Sequence, residues 1–186
     1  MKRLGPEDGA IFVEFLIVFM VFLTIVLGIV QLTFLYIGKA VVQRSANAGV
    51  RAAVVVLDDD PRCYGGAARN SPTGKRLEDI RMAAKIPLLA LSADRGTVRR
   101  AIGEGVGGAG ASMAYAESHM ALTFPSGGVG LESDVTVRVE FQYNCGVPLG
   151  RFVLCGMDQT LTLTGEATLP NQGARYRYQG PPMCGG

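Results

Sequence analysis

The chain has 186 residues, with 18 basic and 16 acidic side chains, one histidine and a formal net charge of +2. A balance this even gives no reason to expect nucleic acid as a partner, and the length allows one membrane helix plus a single extramembrane domain of roughly 100–130 residues. With His119 the only histidine and no C-x-x-C among Cys63, Cys145, Cys155 and Cys184, a zinc site would need all four scattered cysteines, so no metal is expected.

The opening MKRLGPEDG has the basic start of a signal peptide, but the apolar run behind it is too long and no small-x-small site follows. It reads as a leader ahead of an anchor. From Phe15 to Ile37 there is no charge, and Thr24, Gln31 and Thr33 are the only strongly polar side chains. Roughly 20 apolar residues at about 1.5 Å each match the hydrocarbon thickness, so this run predicts a transmembrane helix. Lys2 and Arg3 are offset by Glu7 and Asp8, and Lys39, Arg44 and Arg51 follow the run, so flanking charge alone does not orient it. Glu14 sits at the start of the run. A carboxylate costs roughly 2–3 kcal/mol at mid-bilayer and less near the interface, so it is either wet at headgroup level or paired.

Lys39–Leu57 has no proline and keeps alanine and valine at helical intervals, which predicts that the membrane helix continues outward to a total of roughly 45 residues, about 70 Å. Gly28, Gly38 and Gly49 are candidate bends, and small residues there allow close helix approach. Asp58, Asp59, Asp60 and Pro61 end it.

Gly9, Ala10, Val13, Glu14, Phe15, the apolar run, and then Gln43, Asn47, Ala48, Val50, Arg51 and Ala52 resemble the TadE-type minor pseudopilins of tight-adherence (Flp-type) pilus systems. The resemblance covers about Asp8 to Val56. It implies cleavage between Gly9 and Ala10 by a membrane prepilin peptidase, which makes Ala10 the first residue and Glu14 the fifth. It also implies that Glu14, beside Phe15, pairs with the new amino terminus of a neighbouring subunit. That pairing is physically sensible, because a carboxylate and an ammonium in lipid cost far less together than apart. The partners implied are the inner membrane, the peptidase, sibling minor pseudopilins, the major Flp-type pilin and the pilus assembly platform. The N-terminus would be cytoplasmic and the C-terminal part periplasmic. The divisions are a leader over 1–9, a transmembrane and extended helix over 10–57, and a pilin-like α/β head over 58–186.

Beyond the helix, Asp58–Asp60 lacks the spacing of a calcium loop and reads as a solvated helix end. Arg62–Lys75 reads as a loop with no phosphate-binding pattern. Leu77, Ile80, Ala84, Leu88 and Leu91 predict a helix kinked or restarted at Pro87, with a further turn over Thr97–Ile102. Gly103–Gly110 contains G-x-G-x-x-G but follows a helix rather than a strand, and reads as a flexible loop.

His119–Phe124 predicts a first strand, and Pro125–Gly130 a turn. Val135, Val137, Val139, Phe141 and Tyr143 alternate with polar residues, as do Leu161, Leu163, Ala167 and Leu169, which predicts an antiparallel pair with one dry face. Placing Cys145 opposite Cys155 sets Val139 opposite Leu161 and Val137 opposite Leu163, so one register satisfies both the faces and the cysteines. An even number of cysteines outside the membrane run suggests an oxidising compartment and three possible connectivities. That register selects Cys145–Cys155, leaving Cys63–Cys184 by elimination. Gly146–Arg151 should turn, Phe152–Leu154 form a small edge strand, and Ala174–Tyr178 a last strand. The fold expected is α+β, with a long N-terminal helix, a small antiparallel sheet and two disulfides.

No catalytic set or cofactor motif emerges: the acids stand singly, and His119 lacks a paired nucleophile. The function expected is structural, a TadE-like minor pseudopilin that assembles, initiates or caps a pilus. Two rivals are an uncleaved single-pass adaptor of the pilus secretion machine, and a tip adhesin binding through Arg175, Tyr176, Arg177 and Tyr178.

Overall fold

The computed structural model describes residues 6–101, 109–125, 133–147, 154–157, 160–171, 180–181 and 184. The fold is α+β. Helix α1 spans Pro6–Val56, α2 Gly74–Ala101 and α3 Ala109–His119, followed by strands β1 Met120–Thr123, β2 Asp134–Asn144 and β3 Thr160–Pro170 in sheet order β1-β2-β3. Two compact units divide the chain. One gathers Met1–Ile37 with Tyr143–Leu161, the other Gly38–Gln142 with Thr162–Gly186.

In the larger unit one face of α1 is buried. Val42, Ala46, Val50, Ala53 and Leu57 recur at three- and four-residue steps and are all but inaccessible. Helix α2 answers with a stripe at every fourth residue, Ile80, Ala84 and Leu88. The sheet contributes Leu122, Val135, Val137, Val139, Phe141, Leu163 and Ala167. Burying each such valine, leucine or phenylalanine is worth about 1.5–3 kcal/mol, so this face is the main cohesive force of the unit.

The three layers meet at Gly49. A Cβ there would lie 3.3 Å from Val137 Cγ1, 3.4 Å from the Ala84 Cβ and 3.7 Å from Leu122 Cδ1. Gly49 therefore lets α1, α2 and the sheet close on one another, the close approach expected of a small residue there. Ser45 Oγ donates to the Ala84 carbonyl at 2.6 Å across the same contact. Helix α3 joins through Lys85, whose ammonium meets Glu117 at 3.2 Å, and through Tyr115, set edge-on to Phe141 with ring centroids 6.4 Å apart.

Strand β1 pairs with β2 in antiparallel register, Met120 with Phe141 and Leu122 with Val139. The expected register of β2 on β3 is corrected. Asn171 N–H donates to the Ser133 carbonyl at 3.1 Å, and Thr136 Oγ1 lies 3.0 Å from Thr168 Oγ1. Those contacts set Val137 opposite Ala167 rather than Leu163, and Val139 opposite Gly165. The faces are unchanged because the slip is even-numbered. What decides it is Gly165, which lies against the α1 backbone and which the apolar alternation does not weigh.

Local expectations also change. Helix α2 starts at Gly74, runs through Pro87 and takes in Thr97–Ala101, so it is one helix of 28 residues. Pro87 deprives the Ala83 carbonyl of its usual donor, a loss the buried stripe on either side outweighs. Helix α3 was not foreseen, because AGASMAYAESH is rich in alanine but carries little apolar periodicity. The loop expected over Arg62–Lys75 opens with a 3-10 turn, Pro61–Tyr64, and its last two residues belong to α2. Of the expected edge strand only Leu154 is described, and it is helical. Of the loop expected over Gly103–Gly110, the last two residues belong instead to α3, and the rest lies outside the described residues, as do most of the turn after Pro125 and the strand expected over Ala174–Tyr178.

Candidate functional site

Pro6 opens α1, where its missing N–H has no acceptor to lose. Gly9 and Ala10 lie in the first turns of the helix, and Glu14 and Phe15 follow on its exposed surface. Phe15 stacks on Phe19, one turn on, with centroids 5.7 Å apart. Among the described residues Glu14 makes no ion pair. From Ile11 to Val30 no side chain is buried, although nearly all are large and apolar. The helix is long and apolar enough to cross a membrane, with a mean hydropathy of 2.9 over its best window and none of that window covered by protein.

Of the three polar side chains between Phe15 and Ile37, two are satisfied within the helix and the third only in part. Thr24 Oγ1 donates to the Met20 carbonyl at 2.8 Å, and Thr33 Oγ1 to the Ile29 carbonyl at 3.0 Å, so both hydroxyls are satisfied within the helix. Gln31 is fully buried, and its Oε1 accepts the N–H of Val147 at 3.0 Å. The Gln31 Nε2 is buried without a partner.

In that same unit Cys145 is bonded to Cys155, with Cα atoms 6.5 Å apart. Cys145 directly follows Asn144, the last residue of β2, and Cys155 stands ahead of β3, which starts only at Thr160, so the bridge closes the loop instead of sitting within the ladder.

In the larger unit Cys63 is bonded to Cys184, with Cα atoms 5.3 Å apart. Beside it Arg62 grips Asp60 through Nε and Nη2, the closest contact being 2.7 Å, and its Nη1 donates to the Gly180 carbonyl at 2.6 Å. The Arg62 guanidinium holds the Asp60 carboxyl below its ordinary 3.8, against the opposing effect of desolvation, and Asp60 in turn raises the arginine. Asp59 accepts from the Tyr64 hydroxyl at 3.3 Å and from the Asp60 N–H at 2.7 Å. Burial first, and then the charges of Asp59 and Asp79, push the Tyr64 phenol up. The acidic triplet thus ends a helix and ties down a turn. Among the described residues no group of three His, Cys, Asp or Glu could hold a metal ion.

Arg76 escaped sequence reasoning. It is fully buried, and its guanidinium donates to the Val56 carbonyl, to the Asp59 carbonyl at 3.0 Å and to the Ala67 carbonyl at 3.5 Å, while lying 4.3 Å from the Tyr64 ring centre. A fixed cation thereby satisfies the last carbonyl of α1, where the helix dipole is negative, and ties it to the turn and loop that follow. The signal was present: the stripe Ile80, Ala84, Leu88, extended back by four, lands on Arg76.

His119 Nδ1 lies 2.8 Å from Ser118 Oγ and 3.0 Å from the Tyr115 carbonyl, and its ring stacks on Tyr115, an arrangement that closes α3. A groove of about 670 Å³ runs between α1 and α2, lined by Arg44, Asn47, Ala48, Arg51, Ala83, Ile86 and Pro87.

Residues 9–51 match the family model described as TadE-like protein. This stretch of the chain is TadE-like. The TadE-like segment ends inside the buried part of α1, so it includes the exposed apolar helix, Glu14, and the residues that seat α1 on its sheet. Gln43, at the sheet side of that segment, donates from Nε2 to the Glu166 carbonyl at 2.6 Å, while Asn47, Ala48 and Arg51 line the groove toward α2. No curated protein and no solved structure gave a significant match to the chain.

Proposed function

We propose that the chain is a membrane-anchored minor subunit of a tight-adherence pilus, a TadE-like pseudopilin whose leader is removed between Gly9 and Ala10. The observation that carries this reading is the bare helix surface from Ile11 to Val30 inside the TadE-like match, with Glu14 at its start. An apolar helix with no protein cover suits lipid first and the helices of other subunits afterwards. Glu14 on that exposed surface would meet the freed ammonium of Ala10 in a neighbouring subunit, each charge lowering the burial cost of the other.

In this reading the leader faces the cytoplasm and the α/β head the periplasm, a compartment in which Cys63–Cys184 and Cys145–Cys155 persist. The role is assembly, initiation or capping. A head of this bulk repeated along a thin filament would crowd it, whereas one copy at an end would not.

The deciding experiment is the intact mass and N-terminal sequence of the membrane-extracted protein, from cells with and without their prepilin peptidase. A chain starting at Ala10 only when the peptidase is present supports the proposal. A chain that keeps Met1–Gly9 in both replaces it with the uncleaved adaptor.

A further inference from the structure

Beside its buried stripe, the part of α1 in the larger unit carries a second one that nothing covers. Arg44, Ala48, Arg51 and Val55 recur at steps of four, three and four residues, so they share one face, and Val55 is 70 % exposed. Arg44, Ala48 and Arg51 line the groove toward α2; Ile86 lines it from the other side, itself 60 % exposed, with Met82 one turn before it. We infer that this groove seats a helix of a different subunit, one that carries two carboxylates seven residues apart on an otherwise apolar face. This rests on the chain being a membrane-anchored pilus subunit.

The sign of the partner follows from the charges left over. Among the described residues, the side chains of Arg44, Asn47 and Arg51 have no ion-pair or hydrogen-bond partner. Elsewhere in the same unit Arg62 is held by Asp60, Lys85 by Glu117 and Arg138 by Glu140. The described lining of the groove has two cations and no acid. Seven residues separate the two guanidiniums by about 10.5 Å along the axis and about 20° around it, so carboxylates at the same interval on a second helix meet both.

Exposed apolar surface makes the partner a packed helix and not a small anion. Among the described residues outside Ile11–Ile37, five large apolar side chains are exposed, and Val55, Met82 and Ile86 are three of them. Their concentration on two neighbouring helices marks a contact face. Ala48 and Ala83 between them are short enough for another helix to lie in the groove. A second copy fits poorly. Two copies anchored in one membrane and related by a two-fold axis along α1 would set Arg44 against Arg44 and Arg51 against Arg51.

The test is photocrosslinking of the full-length chain in its native cells, with p-benzoylphenylalanine at Ile86, at Val55 or, on the bare apolar helix, at Phe22, all exposed positions. Mass spectrometry of the joined peptides identifies each adduct. The expected result is that Ile86 and Val55 join to one helix of a different protein, beside acidic residues seven apart. The double variant R44E/R51E should lower that adduct several-fold, and changing the two mapped carboxylates to lysine in the same cells should restore it, a rescue that misfolding would not permit. Adducts to a second copy of this chain, to lipid alone or to a segment without the paired acids overturn the inference, as does a yield indifferent to charge reversal. No adduct from Ile86 and Val55, while Phe22 joins lipid or protein, also overturns it and leaves the anchored reading intact. A chain whose Phe22 position joins neither, recovered outside the membrane fraction, removes the anchored reading and this inference together.

Discussion

A Cβ on Gly165 would stand 2.9 Å from the Cα of Gln43 and 2.7 Å from the Val42 carbonyl oxygen, so strand β3 and helix α1 touch backbone to backbone at this point. The Gln43 Nε2 donor to the neighbouring Glu166 carbonyl fastens the same crossing. Gly165→Ala should therefore force helix and sheet apart and destabilise the protein by about 1–3 kcal/mol, the usual range for overpacking. Gly49→Ala meets only side chains at 3.3 Å and beyond, and should cost less. Denaturant unfolding of the two variants in detergent would rank them; equal stabilities would refute the backbone contact.

Arg76→Lys keeps the charge but loses the planar fork that reaches Val56 and Asp59 together. Loss of one charge-assisted bond predicts a drop of about 2 kcal/mol. Amide exchange should locate it, with protection falling in the last turn of α1 and unchanged in α3. A variant as stable as the parent would show that the buried guanidinium is not needed there.

The two bridges should differ in weight. By loop-closure entropy, Cys63–Cys184, separated by 121 residues, is worth about 5 kcal/mol, and Cys145–Cys155, separated by 10, about 2.7 kcal/mol. Paired serine variants measured by thermal unfolding should keep that order. Non-reducing peptide mapping tests the pairing itself, since a Cys63–Cys145 peptide is incompatible with this structure.

Arg62 lowers the Asp60 carboxyl, so the folded state binds this proton more weakly than the unfolded chain does. The contribution is then complete above the ordinary value of 3.8 and disappears as pH falls below it through the folded value. Asp60→Asn should flatten this part of the acid-unfolding curve and free the Gly180 segment that Arg62 holds. A parent and variant with the same acid slope would exclude the pair as a source of stability.

Glu14→Ala should insert in the membrane and be processed as the parent is, because removing a carboxylate from an apolar helix makes insertion easier. Assembly should fail. Piliation counts and co-purification of sibling subunits would test this, and normal piliation would remove the charge-pairing model.

Much of this was legible in the sequence, wherever a local period reports directly on environment. The uncharged run from Phe15 to Ile37, the alternation from Val135 to Tyr143 and the acidic stop at Asp58–Asp60 each follow from one element meeting lipid, a core or water. The sequence also put Cys145 with Cys155, which flank one short loop, although the strand register used to pair them is not the one the strands adopt. Tertiary structure alone decided the register of β3, since an even slip conserves every face and the choice fell to Gly165 against the Gln43 backbone. It alone placed Arg76, whose burial depends on carbonyls of a helix end 20 residues away in sequence. It also brought Val147 to Gln31, a contact between positions 116 residues apart that no periodicity records.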